Sequence, residues 1–274
     1  MKAPSTLLLG FGDIAERVAA LLDGPWAGAR RSASGRPEVV AADATKSEDL
    51  LRLLGKGYQR ILVTLTPPER TDAGYRASYV AAARALTEAL ATLELRPRIV
   101  WVSSTSVYGQ NAGQWVDETS PTEPAGFAGK RLLEAESLLL ASGLDVVIAR
   151  LSGIYGPGRD RLLSQVRAGQ VSRNMLAYSN RIHADDAACA LHHLLALPNP
   201  ETHYIVTDDA PVLLAEVVRG MAQALGVPGP EQSQGAPFTG KRLCNNRLKA
   251  SGWQPRYPDW RAGYQAELTA LKAP

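Results

Sequence analysis

The sequence is short of several things, and each shortage removes a class of protein. It has two cysteines, Cys189 and Cys244, far apart and in no metal-like spacing, which excludes a disulfide scaffold and a zinc site. They read as buried or incidental thiols in a reducing cytoplasm, where the protein is expected to reside. The net charge is only +3 with no long basic run, so nothing argues for nucleic acid. Long apolar runs are lacking too. The N-terminal stretch "MKAPSTLLLGFGDIAERVAALL" is broken by Asp13, Glu16 and Arg17, which argues against a signal peptide and against a membrane span. Neither a G-x-S-x-G elbow nor a Walker loop occurs.

What remains is an ordinary globular mix, 45% hydrophobic and 21% charged over 274 residues. That length suits a core domain of about 150–200 residues with a smaller appendage. Short apolar runs alternate with helical patterns: "TLLLGF" (6–11), "EVVAAD" (38–43), "RILVTLT" (60–66), "PRIVWVSS" (97–104) and "LDVVIARL" (144–151) read as strands. Helical periodicity appears at 14–22, at "SEDLLRLLG", at 72–93 and at 127–142. Such alternation predicts a Rossmann-type, doubly wound parallel sheet covered on both faces. The last quarter is punctuated by proline and glycine, with helices near 212–226 and 259–271, and reads as a small mixed cap. The expected division is residues 1–165 with 180–200 returning for the sheet domain, and 166–179 with 201–274 for the substrate cap.

Gly10, Phe11, Gly12, Asp13, Ile14 and Ala15 follow the first strand and open a helix, the G-x-G-x-x-A form of the dinucleotide fingerprint. Gly10 permits the tight turn, Gly12 lets a pyrophosphate approach the backbone, and Ala15 allows close packing of helix on strand. Free N–H groups at the helix start favour anionic phosphates. About 20 residues further on an acidic residue would bind the ribose 2′-hydroxyl of NAD, whereas arginine accommodates the 2′-phosphate of NADP. "WAGARRSASGRPE" has no carboxylate until Glu38 but offers Arg30 and Arg31, which favours NADP while leaving NAD open.

The motifs "GFGDIA", "VVAADAT", "VWVSSTSVYG", "VDETSPTEP", "GKRLLEAE", "ARLSGIYGPGRD" and "RIHADDAACAL" occur in one order over residues 6–190. In them the chain resembles the extended short-chain dehydrogenase/reductases, the NAD-dependent epimerase/dehydratase group. The resemblance implies that Ser104 binds a substrate oxygen, that Asp43 contacts the adenine, that Thr66 lines the cofactor, and that Ser152 and Gly153 border the nicotinamide. It also implies a lysine that holds the nicotinamide ribose and lowers the pKa of a tyrosine four residues before it. Lys130 matches that lysine, but Gly126 stands where the tyrosine belongs. Losing a positioned general acid typically costs ~10²–10⁴ in rate. The pattern is similar to an atypical subgroup that keeps the serine and lacks the Tyr-x-x-x-Lys pair.

Tyr108 is the first candidate for a substitute proton donor and Tyr155 the second, since both fall in loops after strands; each has packing as its alternative. His183 with Asp185 and Asp186 reads as structural, one aspartate capping the helix that begins near Asp186 and His183 ending a strand. Adjacent His192 and His193 point about 100° apart on a helix, so no metal site is expected. The helices at 72–93 and 127–142 are where extended relatives dimerise, and small residues in "YVAAARALTEALATL" suit a homodimer; covering the sheet is the alternative. The arginine of "NRIHADD" lacks the spacing of nucleotide-sugar epimerases. Two functions follow: an NADP-dependent oxidoreductase or epimerase acting on a small polar or sugar-nucleotide-like substrate, or an NADP-binding sensor or structural protein without turnover.

Overall fold

The computed structural model describes residues 3–32, 35–171, 174–230 and 237–270. The chain opens with β1 (Thr6–Leu9), α1 (Asp13–Ala19), β2 (Trp26–Arg30), β3 (Val39–Ala41), α2 (Ser47–Leu54) and β4 (Arg60–Val63). A continuous helix follows as α3 (Asp72–Tyr75), a π-helical turn over Arg76–Val80, and α4 (Ala81–Thr92). Next come β5 (Arg98–Ser104), a 3-10 turn at Thr105–Val107, β6 (Trp115–Val116), α5 (Phe127–Ala141) and β7 (Val146–Leu151). The remainder runs through β8 (Gly153–Tyr155), α6 (Arg161–Arg167), β9 (Tyr178–Ser179), β10 (Arg181–His183), α7 (Ala184–Ala196) and β11 (His203–Val206). It closes with β12 (Val212–Leu213), α8 (Leu214–Leu225), β13 (Arg242–Leu243), α9 (Asn246–Ala250) and α10 (Trp260–Ala270). Residue 271 of the last expected helix lies outside the described residues. Among the described residues no helix is long and apolar enough to cross a membrane.

Seven strands form one parallel sheet in the order β11-β7-β5-β4-β1-β2-β3. Every residue of β1 and β7 is buried, as continuous apolar runs in a sheet covered on both faces require. The chain steps from β1 outward to β3, then returns to β4 on β1's other side. That reversal makes a crevice beyond the carboxyl ends of β1 and β4. β2 is the one sheet strand the sequence pattern missed besides β11. "WAGAR" has no β-branched residue, and pairing with β1, Leu8 opposite Gly28, makes it a strand.

The chain divides into two compact units. The first comprises Met1–Gly109, Pro121–Arg150 and Ala188–Tyr204; the second comprises Gln110–Ser120, Leu151–Ala187 and Ile205–Pro274. The boundary therefore falls at Leu151 rather than after residue 165, and residues 110–120 join the second unit. The reason is local: β8 pairs with β10, and Tyr155 is buried in a core with Leu163, Met175, Val217 and Trp260. In the first unit α4 packs against α2 and α5. Its Ala82, Ala83, Ala85 and Ala89 are buried there, so the small residues that suggested subunit pairing are already used within the protomer.

An ion pair lies in the interior of the first unit. Arg150 on β7 donates Nη2 to Glu136 Oε2 on α5 at 2.6 Å, and Ser103 Oγ on β5 donates to Oε1 at 2.5 Å. Glu136 and Arg150 are 2% and 4% exposed. Burial works against the Arg150 charge, but the Glu136 carboxylate outweighs it and raises the guanidinium pKa. Glu136→Ala would leave that cation buried and unpaired, at a cost of ~3–5 kcal/mol. A urea melt should show a loss of that order, and a midpoint within error of the wild type would show that the pair is not structural.

Candidate functional site

β1 ends against a turn that only glycine fits. Gly10 has φ +89°, and a Cβ there would stand 2.7 Å from the Thr64 carbonyl oxygen. The Gly10 and Phe11 N–H groups both donate to Ala29 O, and Thr64 Oγ1 donates to Gly10 O at 2.8 Å. The Phe11 ring stacks on Trp26, centroids 5.5 Å apart, and lies so close over Gly28 that a Cβ there would clash with it. Gly12 caps α1 without a side-chain hydrogen bond, which leaves first-turn N–H groups for an incoming anion. Ile14 and Ala15 are buried in helix packing, whereas Asp13 is exposed and pairs with Arg17 at 3.0 Å. Of the fingerprint, Gly10, Phe11 and Gly12 line the adjoining cavity; Asp13, Ile14 and Ala15 do not.

That cavity has a volume of about 360 Å³ and gathers residues from several strand ends. Besides the loop it is lined by Arg30 at the end of β2, Arg31 and Ser32 just after it, Asp43 after β3 and Thr66 after β4. Among the described residues that line it, Asp43 is the one carboxylate. Its Oδ1 accepts from Thr45 N at 3.0 Å and Thr45 Oγ1 at 2.8 Å, which fixes the turn. A glycine cradle, unpaired helix-start amides and two exposed guanidiniums fit the pyrophosphate and ribose end of a dinucleotide. Ser32 was not anticipated, since a lone serine in a loop gives no pattern.

The loop after Ser104 and the first turn of α5, which carries Lys130, meet in a close backbone approach. Ser104 ends β5 and its Oγ accepts the Ser106 N–H at 3.2 Å. A Cβ on Gly129 would lie 2.4 Å from Ser106 O, so only glycine lets the first turn of α5 pass this loop. Lys130, next in line, is exposed. Gly126 is the N-cap of α5, and a Cβ built on it meets nothing within 4 Å.

Neither candidate tyrosine is free to act. Tyr108 is 2% exposed and its hydroxyl accepts from Arg150 Nη1 at 2.9 Å, with the guanidinium 5.1 Å above its ring. It belongs to the buried ion-pair network, the packing alternative to a catalytic role. Tyr155 lies in the second unit, where its hydroxyl donates to Asp259 O at 3.2 Å and burial raises its pKa. Ser152 and Gly153 also fall in the second unit; the Ser152 hydroxyl is buried and has no hydrogen-bond partner among the described residues. α7 begins at Ala184, before both aspartates, so the expected aspartate cap is not made by Asp185 or by Asp186. Asp186 sits in that helix's first turn and accepts the N–H groups of Arg256 and Tyr257 at 2.9 and 2.8 Å. His183 is buried against Tyr155 and Tyr257. Cys189 is exposed rather than buried. Among the described residues no group of three or more His, Cys, Asp or Glu side chains is placed to hold a metal ion.

Comparison with known proteins turns on the same elements. Residues 24–206 match the model of the NAD dependent epimerase/dehydratase family. This chain belongs to that family. It is similar to Protein YeeZ of Escherichia coli K12, 31% identical over 230 residues, which cover 81% of this chain and 78% of YeeZ. A solved structure from Methylobacillus flagellatus, assigned to the NAD-dependent epimerase/dehydratases, is 34% identical with a TM-score of 0.86. The match covers 99% of this chain and 100% of that one. The dTDP-glucose 4,6-dehydratase of Bacillus anthracis, solved in complex with NAD, shares the fold at 18% identity and a TM-score of 0.80, covering 97% and 96% of the two chains.

The second unit of this epimerase/dehydratase-family chain has a cavity of its own, about 400 Å³, lined by Trp115, Asp117, Asp208, Asp209, Asn246 and Lys249 among others. Asp209 pairs with Lys249 at 3.1 Å. Asp208 is 2% exposed, and burial pushes its carboxyl up to about 8. An unfolded aspartate titrates near 3.9, so between these values the folded chain holds a proton that the unfolded chain has lost. Stability from this group is therefore greatest in acid and falls as pH rises toward 8. Buried Glu118 and Asp186, both raised mainly by burial, add to the same slope. Asp208→Asn should flatten the fall in melting temperature between about pH 5 and 8 and leave the acid value nearly unchanged. An equally steep fall in the variant would show that Asp208 ionises normally.

Proposed function

We propose that the protein is an NADP(H)-dependent oxidoreductase of the epimerase/dehydratase kind, acting on a small polar or sugar-nucleotide-like substrate. The observation that carries this reading is the cavity rim at the end of β2, where Arg30, Arg31 and Ser32 stand and no carboxylate does. Two guanidiniums suit a 2′-phosphate by bidentate hydrogen bonding, and an unmodified 2′-hydroxyl offers them little. When bound, the cofactor supplies hydride exchange at its nicotinamide. In this reading Ser104 hydrogen-bonds the substrate oxygen and Lys130 holds the nicotinamide ribose. The sugar-nucleotide class is supported by the dehydratase whose fold this chain shares. Gly126 favours a second reading, in which NADP is bound without turnover.

Calorimetric titration with NADPH and with NADH separates these readings. NADPH should bind at least about tenfold more tightly, or ~1.4 kcal/mol, and Arg30→Ala with Arg31→Ala should erase the difference while sparing NADH. Equal affinities would remove the NADP preference, and no binding of either would remove the enzyme reading. NADPH oxidation with a panel of carbonyl compounds, lost in Ser104→Ala, establishes turnover. Tight binding with no oxidation by any of them supports the non-catalytic reading.

A further inference from the structure

The helix turn that begins at Gly126 is met, one residue later at Phe127, by an aromatic side chain from another helix. The ring of Tyr75 on α3 meets that of Phe127, the residue after Gly126, edge-on with centroids 5.6 Å apart. Tyr75 and Asp72 are three residues apart and share one helix face. Asp72 is gripped by Arg131 of α5 through two hydrogen bonds of 2.8 Å, and the positive charge of Lys130 also helps hold its carboxyl low. The face of α3 that carries Tyr75 is thus clamped to the turn of α5 that carries Gly126 and Lys130. Two and three residues beyond Tyr75, Ala77 and Ser78 line the dinucleotide cavity. The helix makes its π-turn there, over Arg76–Val80, a distortion often found at functional sites.

The neighbouring phenols are committed elsewhere. The Tyr79 hydroxyl donates to Leu65 O at 3.1 Å, and burial pushes its pKa up to about 12. Tyr108 is held by Arg150. Tyr75 is half-buried, and its hydroxyl makes no hydrogen bond among the described residues.

We propose that Tyr75 is the catalytic proton donor of this site, supplying from α3 the phenol that Gly126 lacks on α5. This rests on the oxidoreductase reading above. In carbonyl reduction the Tyr75 O–H bond breaks and its proton goes to the substrate oxygen, while the carbonyl carbon receives a hydride, with its electron pair, from the reduced nicotinamide. Water then returns the proton to the phenolate. In alcohol oxidation the same proton moves back. Alcohol oxidation needs the phenolate as base, a form that nearby positive charge favours in general.

The test is an ultraviolet titration of tyrosinate in the full chain saturated with NADP⁺, with binding checked on the same sample by calorimetry. One of the nine tyrosines should ionise at least about one unit below the ordinary value near 10. Tyr75→Phe should abolish that step while still binding NADP⁺, and Lys130→Met should move it upward. Adding Gly126→Tyr to Tyr75→Phe should bring it back, since the space there is open. An early step that survives Tyr75→Phe, or none in a wild type that binds NADP⁺, would overturn the assignment alone. A wild type that binds no NADP⁺ would overturn the oxidoreductase reading and the assignment with it.

Discussion

The Glu136–Arg150 pair decides where everything else in the first unit can stand. It joins α5 to β7, takes in Ser103 one residue before Ser104, and holds the Tyr108 hydroxyl with the guanidinium's other arm. Such a pair is not a large source of stability in itself, because taking both charges out of water offsets much of their attraction. Its effect is on register. With the carboxylate accepting from two different strands, α5 can neither slide nor rotate without stranding a charge. Lys130, less than two turns earlier on that helix, is fixed relative to the end of β5 by the same constraint. The close pass of Gly129 against Ser106 O completes it.

At the carboxyl edge of the sheet the determining feature is topological. β1 pairs with β2 on one side and β4 on the other, and the chain leaves the two sides in opposite directions. The loops after β1 and β4 therefore diverge, and residues of both line the cavity. This explains the need for glycine at position 10, where Thr64 O stands in the way of any Cβ. It also explains the chemistry of the rim: Arg30 at the last position of β2 and the loop residues Arg31 and Thr66 supply its polarity.

Much of this was legible in the sequence, because it depends on local patterns. The apolar runs of β1, β4, β5 and β7 and the periodic helices gave the sheet and its layers, and the glycine fingerprint gave the loop. What escaped depended on partners distant in sequence. β2 is a strand by virtue of its neighbour, not its residues. The end of the first unit was placed too late because nothing in "GIYGPG" reveals that Tyr155 packs with Tyr264, at a centroid separation of 4.6 Å. Asp186 has the look of a cap, yet its acceptor capacity is used by Arg256 and Tyr257. Tyr108 lies in a loop by pattern, and only its contact with Arg150 shows that it is interior.

The absence of a tyrosine from position 126 has a different weight once the helices around it are seen. Proton transfer requires a phenol of suitable pKa at a point in space, and the chain can deliver one there from any element that reaches it. α3 reaches the first turn of α5 because Arg131 holds Asp72 through both of its oxygens, a geometry that lysine could not reproduce. The same clamp makes Phe127 intelligible. It is 41% exposed and contributes little as a core residue, but its ring is where Tyr75 rests. A glycine N-cap, an exposed phenylalanine after it and a bidentate arginine four residues later form one arrangement, the receiving side for a helix that carries its own tyrosine.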